Sequence, residues 1–209
     1  MAIFKKVYQS LFALMCIGVG LYPITYFILD RKFGLLSKKT PELLADLTWN
    51  IAFYGHIILG GLVLLIGWTQ FSKYLRKNKM HWHRIIGKIY IIGVLISGLC
   101  GLVIATNAKG GMTAKIAFIS MDICWLTSTI MAYRFIKKKD IQRHQYAMIM
   151  SYALCFSAVT LRIWLPILSI SYGSFDVAYP IVAWVSWVPN FLVAMVIIYF
   201  MEKKRLQLT

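Results

Sequence analysis

The chain has 209 residues, 60% hydrophobic and 14% charged, a balance that excludes an ordinary soluble globule. Its formal net charge is +16, from 23 Lys and Arg against 7 Asp and Glu. These cations stand in short clusters beside apolar runs, which excludes a soluble nucleic-acid surface and points to membrane topology and anionic-lipid contact.

Six apolar blocks each supply roughly 20 residues or more, enough at about 1.5 Å rise per residue to cross about 30 Å of hydrocarbon. The first, 9–29, follows Lys5-Lys6 as a signal peptide would. It is too long for a signal's apolar region and no small-x-small cleavage site follows, so it reads as a first transmembrane helix. A polar loop, 30–49, carries Arg31, Lys32, Lys38 and Lys39 with Asp30, Glu42 and Asp46 among them. The second span, 50–71, contains His56, and the third, 85–106, follows His81, His83 and Arg84. The fourth, 114–135, contains Asp122; the fifth, 145–170, follows His144 and contains Arg162. The sixth, 178–201, holds Pro189-Asn190 in mid-span. Proline removes a backbone hydrogen bond, so this helix is expected to kink there, with Asn190 placed to bond the released carbonyl or a ligand.

The blocks are continuous rather than alternating, which excludes a β-barrel. The expected fold is all-α, an integral membrane helical bundle of about six transmembrane helices. Its divisions are a first helix with its extracytoplasmic loop (1–49), a five-helix core (50–201) and a basic cytoplasmic tail (202–209). The N-terminus, loops 72–84 and 134–144 and the C-terminus together carry 15 Lys and Arg, and the opposite loops carry 6. The positive-inside rule assigns the richer side to the cytoplasm, giving N-in/C-in topology in the cytoplasmic membrane of a bacterium. Cys16, Cys100, Cys124 and Cys155 all lie in apolar segments without a CxxC, and read as small buried hydrophobes.

An ionisable group in hydrocarbon costs at least about 2.5–3.5 kcal/mol, so each needs a partner or a role. Helical spacing gathers these groups into stripes. They are His56, Gly60, Gly67 and Gln70 in the second span; His83, Gly87, Tyr90, Ser97 and Gly101 in the third; and Lys115, Asp122, Thr129 and Tyr133 in the fourth. The fifth aligns His144, Ser151, Cys155 and Arg162, and the sixth Tyr179, Ser186 and Asn190. The stripes are expected to converge in a five-helix core with the first helix outside it, glycines acting as spacers and polar groups bonding across.

By depth, His56, Asp122 and Arg162 share an extracytoplasmic layer, and with Asn190 they form the expected intramembrane polar cluster. His83 and His144 share a cytoplasmic layer with His81, Arg84 and Arg143. Asp122 and Arg162 read either as a structural ion pair or as a proton or anion site, with His56 titrating beside a fixed Arg162 charge. His83 and His144 read either as interfacial side chains or as axial ligands of a haem iron. A zinc site is disfavoured, because no HExxH pair exists and the two layers do not supply three ligands together. Tyr179, Trp184, Trp187 and Tyr199 either line a quinone or lipid groove or anchor the helix at the interface.

Several of these residues fall into ordered motifs. His56, Gly67 with Gln70-Phe71, and His83-Arg84-x-x-Gly87-x-x-Tyr90 come first. His144 after a cationic loop, Thr160-Leu161-Arg162 and Ala183-Trp184-x-x-Trp187-x-Pro189-Asn190 follow. Together they resemble the domain of unknown function 2306 family, predicted bacterial multi-pass membrane proteins, over roughly residues 50–195. The resemblance implies membrane class and carries over no reaction.

Three functions are open at this point. One is a redox-linked protein binding haem b or a quinone in the bundle, with His83 and His144 as ligands. Another is a non-catalytic assembly or sensing factor, its polar stripes holding helices together and its partner a second membrane protein. The last is a small proton or anion transporter using His56, Asp122 and Arg162. All three place the chain in contact with anionic lipid headgroups, and none involves nucleic acid.

Overall fold

The structure, a computed structural model, describes residues 2–29 and 34–207, with side chains from residue 7 onward. Asp30, Arg31 and Lys32 of the first loop lie outside the described residues, as do the side chains of Lys5 and Lys6. Among the described residues all regular structure is helical. Six helical spans are long and apolar enough to cross a membrane: Val7–Ile28, Leu47–Phe71, Met80–Ala105, Gly111–Lys137, Ile141–Ser171 and Phe175–Leu206.

Each span overlaps an apolar block of the sequence, and most run further at their ends. Side-chain caps set several of the starts. Asp46 accepts the Trp49 N–H at 2.7 Å and Asp140 accepts the Arg143 N–H at 3.0 Å, opening α4 (Leu47–Gly67) and α8 (Ile141–Cys155) outside the apolar blocks. The described part of the first loop is folded, with a 3-10 turn at Gly34–Lys38 and a short helix α3 (Pro41–Ala45) between α2 (Thr25–Ile28) and α4.

Helix surfaces follow the logic of a lipid solvent. In α6 (Met80–Ala105) the stripe Ile92, Ile96, Leu99 and Val103 is exposed, while Tyr90, Val94 and Ser97 are fully buried. Apolar side chains thus face outward to lipid, and the polar Ser97 faces in.

The chain divides into two compact units, Met1–Ile104 and Ala105–Thr209. In the first, α1 (Ala2–Leu21) packs closely on α4. A Cβ on Gly20 would meet Leu65, and one on Gly61 would meet the Gly20 carbonyl and Pro23. The first helix, expected to stand outside the core, is therefore tightly joined to its neighbour through small residues. Beyond it Tyr26, Leu36, Trp49 and Phe53 form a buried cluster, with Trp49 stacked on Phe53 at 5.1 Å and Tyr26 edge-on to Phe53 at 5.5 Å. This cluster holds the folded loop against α4, and α5 (Lys73–Asn78) follows at the other end of the span.

In the second unit α7 (Gly111–Lys137) packs against α8 and α10 (Phe175–Val185), α9 (Ser157–Ser171) packs against α10, and α11 (Val188–Leu206) packs against α8. Its last two spans are interrupted. The fifth breaks at Phe156 between α8 and α9, and the sixth breaks at Ser186–Trp187 between α10 and α11. Pro189 lies in the first turn of α11, where a missing N–H costs no hydrogen bond.

Candidate functional site at the helix breaks

The sequence stripes meet as real contacts within each unit. In the first, His56 on α4 and Ser97 on α6 exchange bonds: His56 Nδ1 lies 2.9 Å from the Ser97 carbonyl, and Ser97 Oγ donates to the His56 carbonyl at 2.9 Å. A carbonyl only accepts, so His56 carries its proton on Nδ1. Gly60, also on the predicted face, leaves room for Ser97: a Cβ there would lie 3.2 Å from Ser97 Oγ. Further along the same seam Gln70 lies beside Gly87. The buried Gln70 Oε1 has no hydrogen-bond partner.

The second unit joins the fourth and fifth stripes. Thr129 on α7 and Ser151 on α8, both fully buried, share a hydrogen bond of 2.7 Å. One end of this seam carries His144, whose Nδ1 lies 2.9 Å from the Ala132 carbonyl. Toward the other end Ser157, the first residue of α9, donates to Met121 Sδ at 3.1 Å. Asp122 follows Met121 in sequence, so it stands on α7 at the level of the α8–α9 break.

The break in the sixth span is closed by side chains. Thr160 on α9 donates to the Ser186 carbonyl, and Asn190 Nδ2 bonds both Thr160 Oγ1 at 3.0 Å and the Ser186 carbonyl at 3.1 Å. Asn190 thus satisfies a carbonyl released by the interruption, as its place beside Pro189 suggested. The interruption itself lies three residues earlier than the proline.

Asp122 is 2% exposed, and its Oδ1 is buried with no hydrogen-bond partner. The ion pair that would have neutralised it is not formed. Among the described residues Asp122 takes part in no salt bridge, and Arg162 Nη1 donates to the Ala158 carbonyl at 2.8 Å on its own helix. An ion pair at the surface joins Arg143 to Asp140 at 3.5 Å. The indole N–H groups of Trp125 and Trp187, buried in the same unit, also lack partners. Trp125 stands three residues from Asp122 on α7, and the two groups share no hydrogen bond.

The remaining expected residues are distributed as follows. Asp122, Arg162, Asn190 and His144 belong to the second unit; His56 and His83 belong to the first. His83 is half-buried in the opening turns of α6, where its backbone N–H donates to the Lys79 carbonyl at 3.0 Å. His144 is half-buried in the first turn of α8. Its carbonyl partner fixes the proton on Nδ1 and leaves Nε2 as the acceptor nitrogen.

Sequence reasoning missed Ser157, Trp125 and the break at Phe156. A serine in the middle of an apolar run is a weak signal, and an indole N–H becomes informative only when its surroundings are seen to hold no acceptor. Lys88 was also passed over. It is exposed about two turns into α6, and its stem is long enough to carry the ammonium to the headgroups.

A family model described as "Predicted membrane protein (DUF2306)" matches residues 53–198. No curated protein and no solved structure matches the chain.

Proposed function

The chain belongs to the domain of unknown function 2306 family of membrane proteins, and from that premise we propose that it is a proton-handling membrane protein whose buried Asp122 carries the proton. One observation supports this most directly: a carboxyl in mid-span, almost wholly buried, has an oxygen without a partner and no ion pair. A bare carboxylate in that position costs at least about 2.5 kcal/mol. A group that takes up and gives off a proton bears that cost only in passing. The interruption of the sixth span is a second support, since the backbone leaves the helical region at the buried Trp187, and such backbone at membrane depth is tolerated where it is buried in protein or lines a cavity. Arg162, half-buried on α9, supplies a fixed positive charge to the same unit. A cytoplasmic-membrane location with both termini inside suits this role, because a proton gradient is present there to be used.

The test is proton flux into liposomes carrying the purified full chain and a trapped pH indicator. Asp122→Asn is expected to slow dissipation of an imposed gradient by about tenfold or more. Glu202→Gln, an exposed carboxylate in the last turns of α11, is expected to leave it unchanged. Flux undiminished in Asp122→Asn overturns the proposal, and flux that survives Arg162→Gln removes Arg162 from it.

A redox-linked reading is favoured by a separate observation at His144. Metal-binding histidines commonly donate one ring N–H to a backbone carbonyl and ligate through the other nitrogen, and the bond to Ala132 prepares Nε2 in this way. Bound haem b would supply one-electron chemistry. Purified protein should then show a Soret band that is lost in His144→Ala. A colourless preparation from haem-replete cells rejects this reading.

A further inference from the structure

We infer that Asp122 exchanges its proton with one side of the membrane only, the side on which His144 lies, through the seam between α7 and α8. The inference rests on the proton-carrying role proposed for Asp122 and adds its direction of access.

The two ends of the second unit differ in what they place before the carboxyl. Toward His144, the α7–α8 seam carries hydroxyl groups. Thr129, two turns from Asp122 on the same face, shares its 2.7 Å bond with Ser151, and Ser151 stands two turns from His144 on α8. The intervals are about 10 Å each along the helix axis, with the buried Trp125 between Asp122 and Thr129, so proton passage along this line requires water to enter between the half-buried imidazole and the buried acid. Thr129 and Ser151 can each donate and accept, as a relay of protons requires.

Toward the opposite end α7 packs against α10 through apolar and aromatic groups. Ala114, Ala117 and Ala178 are completely buried. Tyr179 lies 5.9 Å from the Phe118 ring and stacks on Phe175 at 4.9 Å. At the head of α7 a Cβ on Gly110 would lie 2.8 Å from Pro180, so little space is left there. Arg162 also stands on this side of the α8–α9 break, six residues past Phe156. A fixed guanidinium raises the electrostatic barrier to an entering proton. Lys115, half-buried one turn closer to the same end of α7 than Phe118, adds a second positive charge. Ser157 and the Thr160–Ser186–Asn190 knot also lie on this side, engaged with Met121 and with one another, so it is the hydroxyl pair toward His144 and the two cations opposite that make access asymmetric.

A hydrophobic carbodiimide tests this, because it adds to a carboxyl only in its protonated form and the adduct at Asp122 can be quantified by peptide mass spectrometry. The full chain is reconstituted in one orientation, and pH is set independently on the two sides. Raising pH on the His144 side is expected to slow labelling of Asp122 by about fivefold or more, and raising it on the other side to change it less than about twofold. Thr129→Val combined with Ser151→Ala should slow proton flux, while Thr129→Ser, which keeps the hydroxyl, should restore it and so excludes misfolding as the cause. Labelling that follows the opposite side, or both sides equally, overturns the inference while leaving Asp122 as a proton carrier. Absence of labelling at any pH, with flux intact in Asp122→Asn, overturns the carrier role as well.

Discussion

A Cβ on Gly61 would lie 2.6 Å from the Gly20 carbonyl oxygen, whereas one on Gly18 meets nothing within 4 Å. The two glycines stand on the packed pair α1 and α4 and should answer substitution oppositely. Gly61→Ala is expected to destabilise the protein by about 1–3 kcal/mol, because a backbone atom rather than a flexible side chain must move. Gly18→Ala is expected to be neutral or to stabilise by up to about 1 kcal/mol, through the helix propensity gained. Denaturation in mixed detergent micelles measures both, and equal effects would show that the close approach contributes nothing. The same scale shows how much of the site was legible. His56, Ser97, Thr129, Ser151 and Asn190 were all placed on their polar faces by spacing alone. Their partners were not, because a hydroxyl or imidazole has the same period whichever neighbour receives its bond. The bond between Asp122 and Arg162 suggested by charge did not form, since Arg162 instead caps a carbonyl one turn back on its own helix.

At the scale of elements, composition predicted six spans and the described residues contain six, with helix ends extended by polar caps that lie outside the apolar blocks. The breaks were only half legible. Proline announces a kink, and the sixth span is interrupted near Pro189; no proline accompanies the break at Phe156, which depends on what packs around it. The knot of Thr160, Ser186 and Asn190 ties α9 to the α10–α11 junction. If it holds the junction, Thr160→Val and Asn190→Leu should be non-additive, with a coupling of about 0.6–2 kcal/mol in a double-mutant cycle. Strict additivity in unfolding free energies would mean that the interruption persists without the knot.

For the whole molecule the charge distribution makes a claim about orientation. Fifteen Lys and Arg on one set of ends against six on the other set should hold both termini in the cytoplasm. A fluorescent protein that matures only in the cytoplasm should be bright when fused after Thr209, and alkaline phosphatase at the same point should be inactive; the reverse pair of results would invert the membrane assignment of every loop. Helix number and the polar faces were determined by the sequence alone, because hydrocarbon leaves no option but to satisfy backbone groups within each segment, and that constraint is local. The pairing of polar faces, the proton positions on His56 and His144, the isolation of Asp122 and the break at Phe156 were decided by tertiary structure. Each depends on which atom lies across a helix contact, and side-chain periodicity within one helix contains no information about the atom on the next.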